Sequence, residues 1–364
     1  MKRRKTFTVL ILWGLLAGGL GLPLPARALV ILQYHHISEE TPAATSVSPA
    51  RFEAQLEAIA ASGYQVLDLA SVTGPLRNGE ALPDKSVLIT FDDNYPSVFE
   101  FAFPLLRQRG WPFVVFVNTE PVDLGWRGYM SWDQLRQMTA AGAAIANHSA
   151  RHPHMVRRLE GENTASWHQR MSLEILDAEL RIKQEIGHSH RVLAYPYGES
   201  SAALEALLGE LDFIGMGQQS GAAGSEQMLA LPRFAFAGAY GGPEDFALKL
   251  QALPLPLRAM SIESENGERL PDGILPLAVK RPLVTLQLDD ETLAENLQCY
   301  VSDQGRAEKE RTANASLRFQ ASGPLRVGRS RYNCTARSTE PGRFHWFSVP
   351  FVRRDADGNW LAEY

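Results

Sequence analysis

Between residue 29 and about residue 233, short apolar runs alternate with stretches whose apolar residues recur every three or four positions. No other feature of the chain limits its fold as strongly. Residues 29–34, 87–91, 113–117, 143–146 and 192–195 read as short buried strands. Between them, 51–62 carries Phe52, Leu56 and Ile59 at helical spacing and stops at Gly63, and 97–108, 131–141 and 173–186 read as further helices. Residues 64–69 read as a short strand and the stretch from there to Lys85 as loop. Regular alternation of this kind implies parallel strands with helices packed outside them. The expected fold is α/β: a (β/α) barrel, incomplete or distorted, in preference to a doubly wound sheet.

The remainder of the chain differs in character. Pro254, Pro256, Pro271, Pro276 and Pro282 punctuate a linker-like region, and strand-type stretches follow at 283–288, 297–302, 316–320 and 344–349. A small all-β domain, sandwich-like, is expected there. Both cysteines of the 364-residue chain, Cys299 and Cys334, fall in this part, and one disulfide between them is expected if the protein is exported.

Export is what the start of the chain implies. Lys2, Arg3, Arg4 and Lys5 precede an apolar run from 7 to 22, and Ala26-Arg27-Ala28 fits a cleavage site. The resulting division is a signal peptide over 1–28, an α/β domain over 29–255, and a linker with the β domain over 256–364. Cleavage would leave no transmembrane anchor, and the destination is the periplasm or full secretion. Loss of five cations and no acids moves the formal charge from −5 to about −10. That balance argues against nucleic acid as a partner.

The chemistry-bearing residues sit where strands end. Asp92 and Asp93 follow the strand at 87–91, and the carboxyl ends of parallel strands are where ligands and catalytic groups collect. His148 and His152 follow the short strand at 143–146, and on a helical turn that spacing would point both toward one ion. One of the two carboxylates can complete a two-His, one-Asp site while the other takes a proton from water. An Asp that only caps the following helix, and histidines that only sit at the surface, are the competing explanations. His154 is read as an incidental third histidine. Trp126, Tyr129, Trp132 and Trp346 are weighed as sugar platforms against core aromatics, with core favoured for Trp132 and Trp346.

Thr90-Phe91-Asp92-Asp93, His148-Ser149-x-x-His152 and Tyr195-Pro196-Tyr197-Gly198, in that order, resemble the polysaccharide deacetylases of carbohydrate esterase family 4, over roughly 29–233. Within that family the likeness is greatest to deacetylases of poly-β-1,6-N-acetylglucosamine. Tyr34-His35 at the end of the first strand, Gly217 to Gly221 (GQQSG) and 231–234 (LPRF) carry it. The resemblance implies Asp92 as catalytic base, Asp93, His148 and His152 as metal ligands, the Tyr197 backbone N–H in the oxyanion hole, and His35 as general acid. Zn²⁺ is the first expectation for the metal, with Co²⁺, Ni²⁺ or Fe²⁺ fitting nearly as well.

Three positions depart from the family pattern. Asn94 stands where a glycine is usual. Ala194 replaces an arginine that supports the base, a charge Arg233 is expected to supply. The Leu-x-His motif that usually provides the acid is absent, which places that role on His35, with His36 as the fallback. The implied function is removal of N-acetyl groups from a β-linked N-acetylglucosamine polysaccharide, the biofilm polymer first. A chitin-oligomer or peptidoglycan deacetylase, and a non-catalytic glycan-binding protein on the same fold, are the alternatives. A glycoside hydrolase is disfavoured, because adjacent acids do not flank a bond from opposite sides.

Overall fold

The computed structural model describes residues 28–224 and 227–361, so the expected export segment lies outside the described residues except for Ala28. Its main sheet has strands β1 (Leu29–Tyr34), β2 (Gln65–Val66), β3 (Ser86–Phe91), β4 (Val114–Val117), β5 (Ala144–Asn147), β6 (Val192–Ala194), β7 (Ile214–Met216) and β8 (Phe234–Ala235). They run in the order β8-β1-β3-β4-β5-β6-β7, with β2 also on β3. All pairings are parallel, and β1 lies against β3 from Leu29↔Ser86 to Tyr34↔Phe91. The sheet curls into an incomplete (β/α) barrel. Every residue of β1, β3 and β4 is buried.

Alternation along the strands sorts the two faces. Val30, Leu32, Tyr34, Val87, Ile89 and Phe91 pack with Phe52, Leu56, Ile59 and Leu106 of the outer helices, forming the larger core. Leu29, Ile31, Leu88, Val114, Phe116, Ala194 and Met216 form a second core on the opposite face. The inward face turns polar near the strand ends, at Gln33 and Thr90, both fully buried. That is where the barrel stops being core and starts being site.

Thr119–Asp123, Ala202–Glu210 and Pro243–Leu250 are helices that the sequence pattern leaves unassigned, and two more differ from the expectation. Leu69–Asn78 is helical, not loop. Asp68 caps it by accepting a hydrogen bond from the Ser71 N–H at 2.7 Å, and Leu69, Val72 and Leu76 supply a buried stripe that outweighs Gly74-Pro75. Thr164–Ile186 begins nine residues before the expected start, capped by Asn163. Its buried stripe includes Trp167 and Met171, and also Glu174 and Glu179, whose acidic character hides the periodicity.

The C-terminal region forms two five-stranded sheets: β9 (Ala252–Pro254), β18 (Phe344–Arg353), β17 (Gly328–Arg337), β13 (Gln298–Val301) and β14 (Gly305–Arg306) in one. The other holds β11 (Arg269–Leu270), β10 (Leu257–Glu263), β12 (Leu283–Leu288), β16 (Ser316–Gln320) and β15 (Glu308–Ala313). Val284, Leu286, Leu317, Phe319, Tyr332 and Phe351 fill the layer between them. The stretch read as linker holds β10 and β11, because its prolines stand at strand ends or between strands and remove no ladder hydrogen bond there. Cys299 and Cys334 face each other across β13 and β17 and are disulfide-bonded, 35 residues apart. Replacing both by Ala is expected to lower the unfolding free energy of this sandwich by about 3–4 kcal/mol. A fall in the urea midpoint would register it, with m rising as the unlinked unfolded chain exposes more surface.

The two parts are tied together. Arg343 makes two hydrogen bonds to the Asp84 carboxylate, at 3.0 and 3.1 Å, and the Trp346 ring packs edge-on against Phe234 at 5.2 Å. Trp346 is therefore an aromatic of the seam between sheets, not a sugar platform.

Candidate active site

Asp92 continues the inward row of β3 and sits in a closed polar cluster. Arg233, just before β8, reaches across the barrel and donates to both its carboxylate oxygens, at 2.7 and 2.8 Å. Neither side chain has any exposure. Gln33 of β1 donates to the same carboxylate at 2.6 Å, and the Arg233 guanidinium also donates to Thr90 Oγ1 and to the Gly217 carbonyl. Burial alone would push the Asp92 carboxyl up, but the charge and hydrogen bonds of Arg233, with His148 behind them, hold it below the ordinary carboxylate range. Asp92 is ionised and fixed in orientation. Three donors leave one of its acceptor directions available.

Asp93 points the other way, toward His148 and His152. Each of those rings has Nε2 3.2 Å from Asp93 Oδ1, and the three ligand atoms lie within 4.8 Å of one another. The His148 Nδ1–H donates to the Ala194 carbonyl at 2.8 Å, which leaves Nε2 as the coordinating nitrogen. One carboxylate oxygen and two imidazole nitrogens, converging from two buried residues and the half-buried His152, fit a divalent ion of the zinc type. Burial works to raise Asp93 and to lower His148. Their mutual hydrogen bond and charge reverse both, so Asp93 stays well below and His148 above its usual value. His152, lowered to about 4 by burial and by His148, offers a neutral nitrogen.

The histidine pair is not carried on a helical turn. Asn147 Oδ1 accepts from the Ser149 N–H at 2.8 Å and Ser149 Oγ from the His152 N–H at 2.9 Å, closing a tight loop after β5. Glu174 of the long helix clamps that loop through the Arg151 N–H and guanidinium. Nine non-glycine residues among those described have positive φ, and five are Asp93, Asn94, Ser149, His152 and Tyr197. Backbone strain is concentrated on the site. Asn94 holds the left-handed turn that glycine usually makes, at φ 43°, and asparagine is among the residues best able to do so.

His35 lies with its Nε2 4.0 Å from Asp93 Oδ2. His36 turns away and stacks on Tyr95 at 3.6 Å, and burial followed by His35 lowers it to about 4. Tyr197, at φ 59°, places its ring 4.5 Å from that of His152 and stacks on His154 at 3.7 Å. His154 is thus not incidental: Glu199 holds it through Nδ1 at 3.0 Å. Trp132 is core, donating to Asp123, whereas Trp126 is half exposed beside Tyr129. Gln33 and Tyr95, which hydrogen-bonds Asp93, were not singled out in the sequence, and Thr90 entered only as part of the Thr-Phe-Asp-Asp motif. A lone glutamine inside the apolar run LVILQY was the available signal for the first.

Residues 79–214 match the polysaccharide deacetylase family. The chain carries a polysaccharide deacetylase domain. It is 24% identical over 251 residues to a poly-β-1,6-N-acetyl-D-glucosamine N-deacetylase of Escherichia coli K12, covering 58% of this chain. The chain spans 37% of the length of that curated relative. The deacetylase domain resembles the Streptococcus pyogenes deacetylase PplD in complex with acetate, with a TM-score of 0.55 at 22% identity over 62% of this chain and 99% of that one. IcaB from Ammonifex degensii gives 0.52 at 23% identity, over 61% and 94%. At these identities the two structures show the deacetylase fold.

Proposed function

We propose that this chain is an exported, metal-dependent N-deacetylase of a β-linked N-acetylglucosamine polysaccharide, with poly-β-1,6-N-acetylglucosamine as first substrate. The observation that carries the reading is the convergence of Asp93, His148 and His152 beside an ionised, buried Asp92. The Escherichia coli relative's name supports the choice of polymer. The apolar run at 7–22 and the disulfide support export to the periplasm or beyond.

Asp93, His148 and His152 would hold the ion, Zn²⁺ first. Bound there, it supplies Lewis acidity toward the amide carbonyl and lowers the pKa of water. Asp92, its carboxylate fixed by Arg233 and Gln33, takes the proton of the attacking water. The Tyr197 N–H donates to the oxyanion that forms as the carbonyl becomes tetrahedral. His35 delivers a proton to the leaving nitrogen, releasing acetate and a glucosamine unit. His36 is unsuited to that step, because a ring held near 4 is unprotonated at neutral pH.

Acetate release from β-1,6-linked and β-1,4-linked N-acetylglucosamine oligomers by the metal-loaded chain tests the reading. Faster release from the β-1,6 oligomer is expected, and His35→Gln should cost about 10²-fold. Release from neither oligomer would sink the deacetylase reading, and preference for the β-1,4 oligomer would transfer it to a chitin-type or peptidoglycan-type glycan.

A further inference from the structure

The seam between the barrel and the sandwich runs beside the Tyr197 loop. A cleft of about 220 Å³ there is walled on one side by Tyr197, Gly198 and Gln218, and on the other by Arg326, Arg329 and Arg331. Arg329 and Arg331 lie two apart on β17, so both extend from one face of that strand toward the barrel. The Arg329 Nη1 donates to the Tyr197 carbonyl at 2.5 Å, and its guanidinium lies 5.7 Å from the Tyr197 ring centre. Arg331 Nη1 donates to the Gln218 carbonyl and to Ser220 Oγ, and Ser348 of β18 donates to the Ser220 carbonyl at 2.6 Å. These contacts join residues more than 100 positions apart, and each ends on a loop at the barrel rim.

Tyr197 has reason to need such a hold. A tyrosine at φ 59° is in a conformation that side chains with a Cβ seldom adopt, and surrounding structure must over-determine it. The Gly198 N–H and Glu199 N–H close back onto the Tyr195 and Pro196 carbonyls, which leaves the Tyr197 carbonyl as the handle through which the sandwich can grip the turn. A donor fixed on that carbonyl sets the tilt of the residue whose N–H is proposed to face the oxyanion. A tilt error of about 1 Å at such a donor is enough to cost on the order of 10²-fold in rate.

We propose that Arg329 is a positioning residue, and that the C-terminal sandwich completes the active site by clamping the Tyr197 turn from behind. The inference rests on the oxyanion role proposed above for Tyr197. It assigns the sandwich a part in catalysis without requiring it to bind glycan.

The test uses the full metal-loaded chain with Arg329→Ala, Arg329→Lys and, as a control from the same cleft, Arg326→Ala, whose side chain holds the Asp303 carboxylate and the Arg329 carbonyl rather than the Tyr197 turn. Two readouts are taken: acetate release from the β-1,6 oligomer, and hydrogen–deuterium exchange over 195–200. Arg329→Ala is expected to lower kcat about 10- to 100-fold with KM within about threefold. It should speed exchange over 195–200 at least about tenfold, with bound metal and Tm unchanged. Lys should restore part of both, since it reaches the carbonyl but lacks the planar fork over the ring, and Arg326→Ala should alter neither. Unchanged exchange and kcat within twofold in Arg329→Ala would overturn the clamp, as would a loss seen equally in Arg326→Ala. If the unaltered chain releases no acetate, the deacetylase reading fails and the exchange data alone decide whether Arg329 holds the turn.

Discussion

Asp92→Asn is expected to lower deacetylation about 10³-fold and to destabilise the fold by about 3–5 kcal/mol at neutral pH. The first effect follows from removing the buried carboxylate next to Asp93 that is not itself a candidate ligand. The second follows from Arg233, which has no exposure and would keep its charge with no anion opposite. A double variant, Asp92→Asn with Arg233→Met, should regain part of the stability and none of the activity, because the stranded cation is gone while the base is still missing. The pH dependence has a fixed sign. A carboxyl depressed in the folded state stabilises above its unfolded value near 3.9, and that contribution is lost as pH falls from there through the folded value. Urea denaturation between pH 7 and 3 should therefore show a component in the wild type that the single variant lacks. Retention of more than a tenth of the wild-type rate by Asp92→Asn would remove Asp92 from the role of base.

How far the sequence reveals this site depends on how its parts are held. Asp92 with Asp93, and His148 with His152, are near neighbours in the chain, so their pairing survives without coordinates. The Gln33–Asp92–Arg233–Thr90 cluster does not, because it exists only once β8 lies beside β1 and β1 beside β3 in register. Arg233 was reachable only through the LPRF resemblance, and Gln33 only as a polar residue out of place. The same logic explains the missed elements. Gly74-Pro75 disguised a helix whose tertiary contacts outweigh propensity, and Glu174 and Glu179 broke the apolar period of another because they are buried to hold a loop. His154 looked incidental because its role is to stack on Tyr197, a residue 43 positions later whose backbone conformation no local pattern announces.

His148→Ala is expected to reduce bound metal from one ion per chain to below about 0.1 and to lower activity at least about 10³-fold. His148 is the candidate ligand most firmly oriented by the protein, buried and with Nδ1 committed to Ala194, so no rotation of a neighbour can replace its Nε2. Without metal, Asp93 and His148 satisfy each other as an ion pair, which is what raises the histidine and lowers the acid. Loading must therefore expel the His148 proton. The sign follows: apparent affinity should fall about tenfold per pH unit below the raised His148 value and level off above it, with proton release on binding in the lower range. His152, lowered to about 4 and so neutral well above that pH, adds no such slope near neutrality. Titration of zinc into the metal-free chain at pH 6, 7 and 8, with proton release followed in weak buffer, separates this from a loose surface site. A pH-independent affinity, or stoichiometric tight binding by His148→Ala, would show that the ion is held elsewhere and that the triad is a hydrogen-bonded structural cluster.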